Sequence, residues 1–428
     1  MKVFGFIVFV ILVNIPRIFN ESGVLFSVIP LLLLGLSVFI LAHKVGFKIL
    51  REKGSIILIL FIIISSISIL RNNDPNGSII GNIYRASELF LFLMALFLFC
   101  AFLFNNEKVD SKDVISKGLI LPFTAYCLLN LLLWLSNISF SAQDDLTIGK
   151  CVILSYFGFS IDRVQFPLQS GINNFASLVG GLMTITILFL WFEKKNRLIH
   201  ILCVFVFLCI LLLCDSRSGL ISPILAILPL IIFRLSHLSR MFFKLIPYIP
   251  IIAPLLLLFI ITILQRYGLI TSISRESEET TTANGRTLIW SISLLEFVQF
   301  KWIHLIGYGQ FGHYASGASK NWAFLFGRWK NSDLASPHNT ILMMIFDYGY
   351  FGLIVFIMTL RHITHIAVDI AKKNSLLSSI VLAFLIYMVL IGTTESFLGV
   401  YFSNAIYVFM ILTTILLHEN LNLKSSKE

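Results

Sequence analysis

Long apolar stretches recur along the chain at intervals of about 25–40 residues, each close to the roughly 20 residues a helix needs to cross a bilayer. They predict twelve spans, near residues 3–20, 24–43, 55–71, 86–104, 115–135, 171–192, 198–214, 219–233, 245–264, 338–360, 376–392 and 400–417. The alternating segments of about ten residues that mark a membrane β-barrel are absent. The expected fold is all-α, a polytopic helical bundle, because helices satisfy their own backbone groups inside lipid. The polar segments between spans are short, with two exceptions: a loop of 34 residues at 137–170 and one of 73 residues at 265–337. The chain thus divides into spans one to nine with the smaller loop (1–264), the large loop (265–337), and spans ten to twelve with a short tail (338–428).

Composition agrees. Of 428 residues 57% are hydrophobic and 13% charged, about half the charge that solvates an ordinary globular surface. A soluble protein is excluded. The net charge of +10 sits beside no nucleic-acid-binding motif, so topology is its first explanation. With a cytoplasmic N-terminus, nineteen of the 32 lysines and arginines fall inside and every short, strongly basic loop lies on one face. The expected topology has both termini cytoplasmic and both long loops outside. Of the six cysteines, only Cys151 lies in a polar loop, and all six read as small hydrophobes rather than a disulfide framework.

The large loop contains Trp290, Trp302, Trp322 and Trp329, four of the six tryptophans. Disordered segments avoid aromatics, so the expectation is an ordered lid. Within Arg286–Phe300 the residues Leu288, Ile289, Ile292, Leu295 and Val298 fall near one face of a helix, which fits packing on the bundle top or lying in the membrane interface. Gly307-Tyr-Gly-Gln-Phe-Gly312 has nucleotide-loop spacing but no strand before it, and reads as a turn after the helix.

Candidate chemistry gathers at the outer ends of the spans. Cys214-Asp-Ser-Arg-Ser-Gly219 links two spans with Arg217 near its centre, a permanently charged fork suited to phosphate oxygens or to a salt bridge with Asp215. Arg286, where the loop turns into its helix, is a second such group; Arg163 and Arg266 are third and fourth. Ser336-Pro-His338-Asn339 opens span ten, where His338 could serve as a general base and Ser336 or Asn339 as a cap. Asp347 and Glu395 are intramembrane acids, which makes a proton-coupled transporter the rival class; no internal repeat accompanies them. Asp347 also suits a hydrogen bond to a neighbouring helix that Gly349 and Gly352 allow to approach. Glu276, Glu278 and Glu279 read as a solvated turn and no metal constellation is seen.

Taken in order, Ser216-Arg217-Ser218-Gly219, Gly285-Arg286-Thr287, Leu305-Ile-Gly307-Tyr-Gly309, Pro337-His338-Asn339 and Asp347-Tyr-Gly349-Tyr-Phe-Gly352 resemble the O-antigen polymerase and O-antigen ligase superfamily. The resemblance implies a metal-independent glycosyltransferase of the bacterial inner membrane, without a cofactor, which moves a glycan from undecaprenyl diphosphate to an acceptor hydroxyl in the periplasm. It places the diphosphate on Arg217 and Arg286 and makes His338 the catalytic base; Arg163, Arg266 and Asn339 are additional candidate substrate contacts. Its partners are the lipid-linked glycan, the bilayer and, in some members, a chain-length regulator, with no nucleic acid. The stretch from Arg163 to Asn173 and Asn174 looks like that of polymerase members, which join lipid-linked repeats of O-antigen or a related surface polysaccharide. A ligase, which moves the polymer to lipid A core, is the alternative.

Overall fold

A computed structural model describes residues 24–45, 50, 52–106, 109–138, 151–169, 171–233, 241–267, 285–326, 332–397 and 404–425. Twelve helices of thirteen or more residues carry the fold among them. The first four are α1 (Val24–Val45), α2 (Lys53–Leu70), α3 (Ile79–Asn106) and α4 (Ser111–Leu135), the last with a π-helical turn at Ser116–Ile120. Next come α5 (Ile172–Phe192), α6 (Arg197–Leu213), α7 (Arg217–Phe233) and α8 (Ile249–Arg266). The chain closes with α9 (Arg286–Val298), α10 (Thr340–Ile370), α11 (Ser375–Gly392) and α12 (Asn404–Ser425). Helices occupy eleven of the twelve predicted stretches, while the first, 3–20, lies outside the described residues. Among the described residues seven helices are long and apolar enough to cross a membrane; α6, Arg217–Ile232 of α7, Leu31–Val45 of α1 and Met241–Ile252, which leads into α8, are shorter apolar helices. The chain is a multi-pass membrane protein.

In the bundle α5 packs on α6, α7 and α11, α10 packs on α2 and α11, and α3 packs on α1, α2 and α12. A single buried core runs through them, including Phe97, Phe175, Phe207, Tyr387 and Phe409. The six cysteines are free; Cys151, read as a loop residue, is buried, with its thiol 3.2 Å from the Leu212 carbonyl.

Helix α10 is broken. Its 31 residues would span about 46 Å if straight, against about 27 Å for the 18 residues of α11. The two helices are joined by a short turn, yet their far ends touch: Thr340 donates through Oγ1 to the Glu395 carbonyl at 2.9 Å. Gly349 absorbs the difference by leaving helical geometry at φ 69° and ψ −171°. The segment before the break, Thr340 to Tyr348, therefore takes a separate direction from the rest of α10, and its N-terminus meets the end of α11.

The large loop is seated on that break. Tyr308 N–H donates to the Phe346 carbonyl (2.7 Å), Gly309 N–H to the Asp347 carbonyl (3.1 Å) and Gly312 N–H to Asp347 Oδ1 (2.9 Å). Arg71 Nη2 donates to the Gly307 carbonyl at 2.8 Å, and Asn73 Nδ2 to the carbonyls of Tyr308 and Gln310 at 3.0 and 2.9 Å. The glycine-rich segment is thus more than a turn. It is a latch that Asp347 anchors, while the Asp347 carbonyl also accepts from Ser68 Oγ of the neighbouring α2 at 3.2 Å.

The loop also has its own core, in which Ile289, Trp290, Ala318 and Trp322 pack on Leu342 and Phe346 of the α10 segment before the break. The expected apolar face of α9 is divided. Ile289 is buried and Ile292 partly so, whereas Leu288, Leu295 and Val298 are exposed and form a stripe that leads toward exposed Trp302. The buried face was masked in sequence by Trp290, Ser293 and Phe297, which share it. Trp329 lies outside the described residues.

Candidate functional site

The site is built around the approach to α10. Trp290 Nε1 donates to the Pro337 carbonyl (3.0 Å) and Trp322 Nε1 to the Ala335 carbonyl (3.1 Å), so two buried indoles clamp the strand of chain before His338. His338 is held at φ 47°, a left-handed conformation uncommon for a residue with a side chain. Asn339 follows as the N-cap, its Oδ1 accepting from the N–H groups of Ile341 and Leu342 at 3.0 Å each. Its Nδ2 donates to the Thr393 carbonyl (3.0 Å), and Thr340 Oγ1 accepts from Phe397 N–H (2.9 Å). Asn339 is buried, and these bonds fix where His338 stands.

Glu395 ties the charges together. Its Oε1 accepts from Arg286 Nη2 at 2.5 Å, and its Oε2 lies 3.4 Å from His338 Nδ1. The side chains of Arg286 and His338 are 22% and 21% exposed, that of Glu395 only 7%, so the two expected functional groups face the opening while the acid lies behind them. Burial alone would push the Glu395 carboxyl up, but the Arg286 guanidinium and the His338 ring outweigh it and hold the group below the usual carboxylate range. Phe326 stacks on the imidazole with ring centroids 5.9 Å apart. In sequence Glu395 stands as an intramembrane acid with no visible partner, because 57 residues separate it from His338.

Arg163 and Arg217 stand in a second cluster at the head of α6 and α7. Arg163 Nε donates to the Cys214 carbonyl (3.0 Å) and its Nη2 to Asn173 Oδ1 (3.1 Å). Arg217 is the first residue of α7 rather than the middle of a link, because the turn is completed by Cys214 and by Asp215 at φ 48°. Asp215 Oδ1 accepts from Ile153 N–H at 3.0 Å. The two clusters are joined through the bundle: Gly219 packs against Gly180 and Ala176 of α5, Tyr387 of α11 donates to the Ser177 carbonyl, and Tyr387 meets Phe397 with ring centroids 5.7 Å apart. Arg266 is exposed at the end of α8 and makes no contact with either cluster among the described residues. Glu276, Glu278 and Glu279 lie outside the described residues. Among the described residues no three His, Cys, Asp or Glu stand close enough together to hold a metal ion.

Below Asn339, Thr340 and Thr393 a small cavity of about 20 Å³ lies between α10 and α11, lined by Phe356, Leu360 and Met388 with Pro250 of α8.

His313 shows how acid would act on the loop. It is buried against Trp322, its Nε2 donates to the Leu334 carbonyl (3.2 Å), and its Nδ1 has no partner. Burial pushes its pKa down to about 4. A ring depressed in this way contributes stability that is present above the ordinary value near 6.5 and is lost as pH falls through about 4. The lowered Glu395 value acts in the same direction. Thermal unfolding followed by tryptophan fluorescence should show a loss on the order of 3 kcal/mol across that window, and His313→Gln should flatten the slope. An unchanged slope would remove His313 as its origin.

Comparison with known proteins adds one finding. No curated protein and no solved structure matches the chain, while residues 201–357, from α6 through the large loop to the kinked half of α10, match the family described as O-antigen ligase. The matched stretch contains Arg217, Arg286 and His338, so this part of the chain is similar to that family.

Proposed function

We propose that the protein transfers a glycan from undecaprenyl diphosphate to a sugar hydroxyl on the periplasmic face of the inner membrane, and that it polymerises surface-polysaccharide repeats in this way. The observation that carries the reading is the pairing of Arg286 and His338 through one buried carboxylate at the mouth of the bundle. In this reaction the acceptor oxygen forms a bond to the anomeric carbon, the bond from that carbon to the diphosphate breaks, and the acceptor proton passes to His338 Nε2. Arg286 and Arg217 neutralise the charge that collects on the departing diphosphate, so positioning and electrostatics supply most of the rate. Arg163 holds the Arg217 turn through the Cys214 carbonyl. The exposed stripe of Leu288, Leu295, Val298 and Trp302 would rest in the outer membrane interface beside the lipid-linked donor.

Polymerisation rather than ligation is favoured by the segment from Arg163 to Asn173, whose two ends are joined at 3.1 Å, and which resembles polymerase members. The description of the matching family favours ligation instead. A gel of surface polysaccharide from a strain lacking the protein separates them. A single repeat on lipid A core is expected for a polymerase; bare core with accumulated lipid-linked polymer would establish a ligase.

A further inference from the structure

Arg286, the proposed diphosphate ligand, already has an anion on it. Glu395 reaches the guanidinium at 2.5 Å, whereas its other oxygen is 3.4 Å from His338 Nδ1, beyond the usual length of a strong charged hydrogen bond. The carboxylate is committed to the arginine and only loosely to the imidazole. It is also confined. Its backbone carbonyl is held by Thr340 (2.9 Å), its N–H donates to the Ile391 carbonyl (2.9 Å), and its side chain is 7% exposed. It can therefore shift by an ångström or so but cannot swing into solvent, and the neighbouring group that can take it is His338.

We infer that Glu395 is a displaceable internal anion: a diphosphate arriving at Arg286 takes the guanidinium, and the released carboxylate closes on His338 Nδ1. A diphosphate carries more charge than one carboxylate and presents several oxygens to a forked donor, so the exchange runs toward the incoming ligand. Once on Nδ1, the carboxylate holds that nitrogen's proton and leaves the Nε2 lone pair facing the acceptor hydroxyl, the orienting role of an acid behind a histidine base. The base would then be aligned only when donor is present. Glu395 is a positioning residue in this scheme, and the inference rests on the reading of Arg286 and His338 given above.

The test uses the full-length protein in nanodiscs, with farnesyl diphosphate as the binding probe and lipid-linked repeat as the transfer substrate. Glu395→Gln removes the competing charge, so the probe should bind about three- to tenfold more tightly. The kcat for transfer should fall on the order of 10–100-fold, and Glu395→Asp, which keeps a carboxylate, should restore part of it. A residue that merely held the fold would weaken both quantities. If Glu395→Gln does not accumulate, probe binding to Glu395→Asp is measured instead: one methylene shorter, it is drawn off Arg286, and tightening is again expected. Weaker or unchanged probe binding in the variant measured overturns the exchange. Arg286→Ala separates the two layers of argument. If that variant binds the probe as the wild type does, Arg286 is not the diphosphate ligand and the functional reading fails; if it loses binding while the Glu395 variants show no tightening, only the exchange fails.

Discussion

His338→Ala is expected to abolish glycan transfer while the protein still accumulates in the membrane at its normal level. The imidazole is held by its backbone rather than by its side chain: the Trp290 and Trp322 clamps, the Asn339 cap and the Thr340 link all act on main-chain groups. Removing the ring therefore leaves these contacts in place, and loses one long approach to Glu395 and the stack on Phe326. A general base contributes about 10²–10⁴-fold to rate, which is enough to erase long-chain product from a gel. Arg217→Ala is expected to do the same by leaving the leaving-group charge uncompensated. Retention of normal chain length in both variants would end the proposed mechanism, and loss of protein from the membrane would assign His338 to structure.

Gly349→Ala should have the opposite signature, with loss of the folded protein preceding any loss of chemistry. Its backbone, at φ 69° and ψ −171°, lies in a region open essentially to glycine alone. A methyl there would stand 2.6 Å from the His304 carbonyl oxygen and closer still to the Gly307 amide nitrogen. Gly307, at φ 74°, is pressed reciprocally on Gly349 and Asp347, so neither backbone can withdraw without undoing the latch. Strain and overpacking together should cost about 3 kcal/mol or more. The expected result is a sharp fall in membrane-inserted protein, or protease cleavage of the large loop in what remains. A variant with normal abundance and an intact loop would show that the break in α10 is not needed to seat it.

These two positions differ in how they could be read from the chain. His338 was legible because Pro337, His338 and Asn339 open an apolar span, and turn and cap chemistry is local. Gly349 was legible only as a small residue permitting close approach. Nothing near it in sequence announced that the approaching backbone would be Gly307, 42 residues earlier, or that Arg71 and Asn73 would hold the same segment from the link after α2. The spacing of Gly307, Gly309 and Gly312 pointed to tight backbone geometry but not to its purpose. On α9, periodicity found a helix and misjudged its buried side, because two apolar faces with different destinations look alike in a list of residues.

What the sequence determined by itself was therefore the class of fold, the approximate positions of the helices and the short-range chemistry at their ends. Those follow from apolar length, which lipid demands, and from caps and turns whose partners lie within a few residues. What only the tertiary structure decided was the company each charge keeps. Glu395 joins Arg286 across 109 residues and His338 across 57, and the Asp347 carboxylate receives the Gly312 N–H of the loop across 35. A buried charge takes its meaning from whatever neutralises it in a medium without water, and that partner is chosen by how helices pack and where one of them breaks.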